Sequence, residues 1–220
     1  MKLNDLDPLL HVSASQVGPY LRSTGKRLFD IAFSLSVILL TMPIWLVLCL
    51  LVSLDGGPVF YSQKRIGRNG VPFNCWKFRT MSVNAEEALR QLIQSNPEIA
   101  REWHATQKLK VDPRVTRLGR WLRRTSVDEL PQFFNVLNGT MSVVGPRPFA
   151  QDQVMLYHPV VLSKYIAVKP GLTGYWQVYA RHDTTFECRA RFDQIYVDKA
   201  SFASDLALVI KTPLAMLRGS

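Results

Sequence analysis

The 220 residues suit one domain, or one domain with a membrane element, and are enough to bury a core. Lys and Arg outnumber Asp and Glu by 27 to 17, a formal +10, so the expected partners are anionic: phosphates, nucleic acid or an acidic lipid surface. Cys49, Cys75 and Cys188 stand far apart with no C-x-x-C pair, which gives no sign of a disulfide framework or a zinc site and fits a reducing compartment. No Walker A pattern and no G-x-G-x-x-G occurs, so ATP and dinucleotide chemistry have no support, and His11, His104, His158 and His182 are too scattered to take a role.

In chain order, residues 1–25 read as a polar, partly mobile N-terminal segment. Residues 26–56 follow as a membrane helix. From Leu28 to Leu54 the only polar side chains are Asp30, Ser34, Ser36, Thr41 and Ser53, and this is the one stretch apolar enough for a bilayer. A single span is the plain alternative, since 27 residues reach about 40 Å against about 30 Å of hydrocarbon. Pro43 argues against it, because it removes a backbone donor and divides the segment into halves of roughly 22 Å and 16 Å, each too short to cross. Basic residues also flank both ends, Arg22, Lys26 and Arg27 before and Lys64, Arg65 and Arg68 after, and a straight span would put one set on the wrong side. The expectation is a re-entrant helix that breaks at Pro43 and returns, with the freed backbone groups covered by protein or by Thr41.

Residues 57–220 read as a cytoplasmic catalytic domain. Pro58 to Ile66 and Val71 to Phe78 form two strands, and the Asn69-Gly70 pair between them signals a hairpin. Ala85 to Ser95 and Pro97 to Gln107 have helical spacing, separated at Asn96-Pro97. Phe202 to Leu217 is a second apolar helix, of core or interfacial type, expected to break at Pro213.

Seven basic residues, Lys108, Lys110, Arg114, Arg117, Arg120, Arg123 and Arg124, stand against Asp112 alone and lead into Thr125-Ser126-Val127-Asp128-Glu129-Leu130-Pro131. Ser126 and Glu129 have capping-box spacing and Pro131 suits a first turn, so Asp128 and Glu129 are expected at a helix N-terminus that holds them ionised and accepts phosphate. For an isolated pair, capping alone explains the carboxylates. Here Gly145-Pro146-Arg147-Pro148 fixes an arginine between two prolines, which limits the entropy lost when its fork grips phosphate, and Trp76-Lys77-Phe78-Arg79-Thr80-Met81 adds two cations at the end of a strand.

Taken together, the segments Lys26-Arg27-Leu28-Phe29-Asp30, Lys77-Phe78-Arg79-Thr80-Met81, Asp112-Pro113-Arg114-Val115-Thr116, Ser126-Val127-Asp128-Glu129-Leu130-Pro131-Gln132, Gly145-Pro146-Arg147-Pro148 and Lys169-Pro170-Gly171-Leu172-Thr173-Gly174 resemble the bacterial sugar transferases. These are the monotopic polyprenyl-phosphate phosphoglycosyl transferases. The resemblance runs from Lys26 to the C-terminus and is strongest to the short exopolysaccharide-initiating members, without the multi-span N-terminal region of longer ones. It implies a mixed α/β, helix-rich monotopic membrane protein with a re-entrant N-terminal helix, a β-hairpin and interfacial amphipathic helices, on the cytoplasmic face of a bacterial inner membrane. The implied reaction moves a hexose 1-phosphate, glucose or galactose, from a UDP-sugar to polyprenyl phosphate, with Mg²⁺ as cofactor and no nucleic acid as partner. Residue by residue, the resemblance makes Asp128 the nucleophile of a covalent phosphosugar intermediate and Glu129 its partner in holding Mg²⁺. Arg123 and Arg147 become phosphate ligands, with Lys77 and Arg79 near the same site, and Pro43 marks the membrane-helix break. Relatives usually carry Ser-Pro at that break, where this chain has Met42-Pro43. Other polysaccharide-assembly glycosyltransferases are the expected company. Two rival readings are direct attack of lipid phosphate on the UDP-sugar and a non-catalytic basic module on acidic lipid or nucleic acid.

Overall fold

The computed structural model describes residues 17–106, 109, 111–180 and 185–218. The N-terminal segment of the sequence reading therefore lies outside the described residues as far as residue 16. From Val17 onward it is packed: Val17 is buried in the main core, Leu21 rests against it, and Pro19–Arg22 forms a 3₁₀ turn.

Helix α1 covers Thr24–Ser53 and starts where Ser23 accepts a hydrogen bond from Lys26 N at 3.1 Å. Its 30 residues amount to about 45 Å. The buried positions Lys26, Asp30, Ser34, Trp45, Leu48 and Val52 follow one helical face, while Leu39, Leu40, Leu46 and Leu50 on the other faces are exposed. The expected interruption at Pro43 does not end the helix, which continues through the proline. Thr41 Oγ1 donates to Val37 O at 2.7 Å and accepts from Trp45 Nε1 at 3.0 Å, so it links the turns before and after Pro43.

Strands β1, Phe60–Ile66, and β2, Pro72–Phe78, pair antiparallel from Phe60 opposite Phe78 to Ile66 opposite Pro72. The sequence signal for the turn is realised directly: Asn69 (φ 59°) and Gly70 (φ 71°) are both left-handed, as a type I′ hairpin requires. Helices α2, Ala85–Ser95, and α3, Pro97–Thr106, match the expected pair, with Asn96 Oδ1 accepting from Glu98 N at 2.9 Å to start the second; Gln107 lies outside the described residues.

Next come α4, Arg117–Thr125, α5, Gln132–Leu137, and β3, Ser142–Val144. They are followed by α6, Pro159–Ile166, β4, Gly171–Thr173, α7, Tyr175–Tyr179, α8, Phe186–Lys199, and α9, Phe202–Arg218. The short parallel pair β3–β4 joins the main core, where Phe73 and Cys75 of β2 meet Val136, Met141, Tyr196 and Leu208. A second core gathers Trp45, Leu48 and Val52 of α1 with Phe78 and Leu122, so both ends of α1 are fastened to the same body.

At its first end α1 is fastened by charge. Lys26 Nζ reaches Asp30 Oδ1 at 2.9 Å and Asp205 Oδ2 of α9 at 2.8 Å, and Asp30 Oδ1 also accepts from Ser142 Oγ and Val143 N, each at 3.0 Å. Helix α9 continues through Pro213, against the expected break, with Thr212 Oγ1 donating to Leu208 O at 2.7 Å. Phe202, Leu206, Ile210 and Leu214, four residues apart, leave an exposed apolar stripe along it.

Candidate active site

The site is built on β2 and the turn that follows α4. Along β2 the side chains of Phe73, Cys75 and Lys77 share the inward face, so the Lys77 ammonium is carried into the molecule by strand alternation. Helix α4 begins where Thr116 Oγ1 accepts from Gly119 N at 2.8 Å and ends at Ser126 in the left-handed region (φ 57°). Gly119 presses its backbone on β2's continuation: a Cβ there would lie 2.0 Å from Thr80 O. One turn on, Arg123 Nε donates to Thr80 Oγ1 at 2.8 Å.

The expected capping box does not form. Ser126 ends the arginine helix instead of starting the next one, its side chain does not cap, and Asp128 and Glu129 sit on a 3₁₀ turn, Val127–Glu129, ahead of α5. That turn buries both carboxylates, leaving Asp128 6% and Glu129 9% exposed. Lys77 Nζ lies 2.7 Å from Glu129 Oε1 and 3.6 Å from Asp128 Oδ2, and Arg147 Nη2 lies 3.2 Å from the same Glu129 oxygen. The Asp128 carboxyl sits above the usual carboxylate range. Burial pushes its carboxyl up, Lys77 pulls it back, Glu129 adds to the rise, and Arg123 and Arg147 oppose it. The cations Lys77, Arg123 and Arg147 are thus what favour its ionised form.

Of the residues singled out in the sequence, Asp128, Glu129, Lys77 and Arg147 come into direct contact, and Arg123 stands at their edge. Arg79 does not join them. Its five N–H donors are committed to Pro58 O, Met81 O, Val52 O and both oxygens of Asp55, so it ties the end of α1 to the end of the hairpin. Pro43 lies in the exposed middle of α1.

The sequence reading missed the support behind Arg147. Arg189 Nη2 donates to Arg147 O at 2.5 Å, both guanidinium groups lie against the Trp176 ring at 5.8 and 5.5 Å, and Tyr157 Oη donates to buried Asp193 at 2.6 Å beside Arg189. Burial pushes the Asp193 carboxyl up to about 6, with Arg189 opposing. Arg65 of β1 belongs to the same basic group: burial lowers its pKa first, then the nearby charges of Cys75, Arg147 and Arg189 act on it. The Gly145-Pro146-Arg147-Pro148 and Lys169-Pro170-Gly171 segments prove to be one unit, since a Cβ on Gly171 would lie 2.1 Å from Gly145 N. No local pattern marks Arg189, Asp193 or Asn135, the last of which locks β2 by accepting from Trp76 N at 3.0 Å and donating to Asn74 O at 2.8 Å.

Two adjacent carboxylates suit Mg²⁺, which commonly takes one or two and completes its shell with water and substrate phosphate. Among the described residues no group of three or more His, Cys, Asp or Glu side chains is placed to hold a metal on its own.

The family model described as bacterial sugar transferase matches residues 21–219. The chain is 45% identical over 199 residues to the exopolysaccharide production protein ExoY of Rhizobium meliloti, covering 89% of this chain and 88% of that one. It is 44% identical over 193 residues to the undecaprenyl-phosphate galactose phosphotransferase of Salmonella typhimurium, covering 88% of this chain and 40% of that one. It is also 37% identical over 195 residues to the UDP-glucose:undecaprenyl-phosphate glucose-1-phosphate transferase of Escherichia coli, at 85% and 39% coverage. It thus spans well under half the length of the latter two relatives. With Lys77 and Arg147 now in contact with the carboxylate pair, and a family match over nearly its whole length, the chain belongs to the bacterial sugar transferases.

Proposed function

We propose that this chain transfers a hexose 1-phosphate, glucose or galactose, from a UDP-sugar to undecaprenyl phosphate, releasing UMP, as the first membrane step of exopolysaccharide synthesis. The observation that carries this reading is the adjacent buried pair Asp128 and Glu129, faced by Lys77 and Arg147, with Arg123 at its edge. The names of the relatives supply the substrate class.

In the first half-reaction an Asp128 oxygen attacks the phosphorus that bears the hexose, and the bond from that phosphorus to the bridging oxygen breaks as UMP departs. An oxygen of the lipid phosphate then attacks the same phosphorus and Asp128 leaves as a free carboxylate. Two anionic substrates never occupy the site together, which limits like-charge repulsion. Asp128 and Glu129 are the residues that would hold Mg²⁺, which when bound would supply charge neutralisation at the diphosphate. Arg147, stiffened by Pro146 and Pro148 and backed by Arg189, grips phosphate oxygens as a preorganised fork. Lys77 favours the ionised form of Asp128.

The membrane reading is a cytoplasmic-face monotopic placement, with both ends of α1 on one side. Its support is that the buried stripe from Lys26 to Val52 keeps to the same domain while the leucines on the other faces, like the α9 stripe, stay exposed. Purified protein in detergent, given UDP-glucose or UDP-galactose, Mg²⁺ and undecaprenyl phosphate, should release UMP. No UMP with either sugar would overturn the reading.

A further inference from the structure

Away from the carboxylate pair, a cavity of about 120 Å³ opens at the foot of α1. Lys26, Arg27, Arg68 and Lys169 line it together with Arg22, and among the described residues Asp30 is the one carboxylate of its lining. Lys26 is balanced by Asp30 and Asp205, and the Asp30 oxygen that serves it is also occupied by Ser142 and Val143 N. Arg27 is held in place by carbonyls, donating to Val136 O at 2.6 Å and Leu137 O at 2.7 Å, so its charge is positioned but not neutralised. A point beside Gly139 lies 3.6 Å from Lys169 Nζ and 3.7 Å from Arg27 Nη2, so the two cationic heads flank one spot.

Lys169 is the telling member. It is half-buried and makes no hydrogen bond or ion pair among the described residues. Burial lowers its pKa, and so do the charges of Arg27, Arg68 and Lys26, with Asp30 opposing. Gathering like charges around a partly desolvated ammonium destabilises the fold, and a bound anion relieves that cost. The position indicates where the anion comes from. Leu28, one residue beyond Arg27, is 61% exposed, and the open leucines of α1 continue from there. A lipid whose chains run along those side chains sets its phosphate at the level of Arg27 and Lys169.

We propose that this cavity binds the phosphate of an anionic phospholipid head group, separately from the carboxylate site. The proposal rests on α1 lying in the bilayer. The Lys26–Asp30–Asp205 group at its edge then fixes the helix foot and leaves Arg27, Arg68 and Lys169 to the lipid.

The test is native mass spectrometry of the full chain released from neutral detergent, titrated with phosphatidylglycerol and, separately, with phosphatidylcholine. Wild type should retain one phosphatidylglycerol with at least about tenfold preference, and the double change Arg68→Gln with Lys169→Gln should remove that preference. The same double variant, free of lipid, should melt at a higher temperature than wild type because the repulsion is gone. Exposed Arg90→Gln with Arg101→Gln is the control and should change neither result. Equal retention of the two lipids, or an unchanged double variant, overturns the proposal. Full displacement of phosphatidylglycerol by millimolar inorganic phosphate assigns the cavity to free phosphate, and displacement by stoichiometric polyprenyl phosphate assigns it to the acceptor; both overturn it. Flotation with phosphatidylcholine vesicles tests the underlying membrane reading alone, since wild type and double variant should float equally, and failure of both would remove the bilayer premise.

Discussion

Lys77 donates to Glu129 at 2.7 Å while standing 3.6 Å from Asp128, so one ammonium serves both carboxylates and grips only the second closely. Burial raises the Asp128 pKa and Lys77 is the largest influence lowering it. Lys77→Gln should therefore raise it further. If Asp128 acts as an ionised nucleophile, the acidic limb of the kcat/KM profile for UMP release should move to higher pH in the variant. An acidic limb that stays in place, with activity reduced equally at every pH, would confine Lys77 to substrate binding.

Arg79 and Arg147 should separate cleanly. Arg79 spends all five donors inside the protein, so Arg79→Lys should lower stability by about 1–3 kcal/mol, with activity lost only as far as the fold is lost. Arg147→Lys replaces a fork by a point charge and should lower turnover strongly while stability stays within about 1 kcal/mol of the parent. Thermal unfolding beside UMP release on the same samples checks both. The reverse pattern would exchange their roles.

Gly119 sets the position of Arg123 by letting α4 touch Thr80 O. Gly119→Ala should cost at least about 2 kcal/mol, because the new methyl meets backbone and not a movable side chain. Unfolding in denaturant is the measurement, and a loss below the error of the method would show that α4 can shift without penalty.

Asp193 gives a pH signature. Its folded pKa of about 6 lies above the usual 3.8, so the folded chain binds the proton first as pH falls. Its contribution to stability should therefore rise as pH drops from 7 through 6 and level off near 4, where the unfolded chain is protonated as well. Denaturant unfolding of wild type and Asp193→Asn across that range should show the stability difference changing in wild type's favour toward low pH. A difference independent of pH would mean that Asp193 titrates normally.

Much of the site was legible because its residues sit in local signals. Asn69-Gly70 fixed the hairpin and with it the inward register of Lys77, and the two prolines around Arg147 marked a rigid cation. The parts that escaped depend on tertiary contact. Arg79 reads as one more cation beside Lys77, and only the end of α1, folded back to bring Asp55 and Val52 O, uses up its donors. Ser126 and Glu129 have capping-box spacing, but the chain reaches Ser126 as the left-handed end of α4, so the same residues terminate one helix instead of opening another. Pro43 and Pro213 each lie inside a continuous helix, where Thr41 and Thr212 bond back to the preceding turn. Arg189 and Asp193 carry no signal at all until Trp176 and Arg147 are placed beside them.

The proposed reaction requires that Asp128 become covalently linked to the phosphosugar. Wild-type protein incubated with UDP-sugar and Mg²⁺, without lipid acceptor, is digested and its peptides are weighed by mass spectrometry. A hexose-phosphate adduct is expected on the peptide containing Asp128, lost on adding undecaprenyl phosphate and absent from Asp128→Asn, whose turnover should fall by several orders of magnitude. An Asp128→Asn enzyme that still releases UMP at the wild-type rate would contradict it.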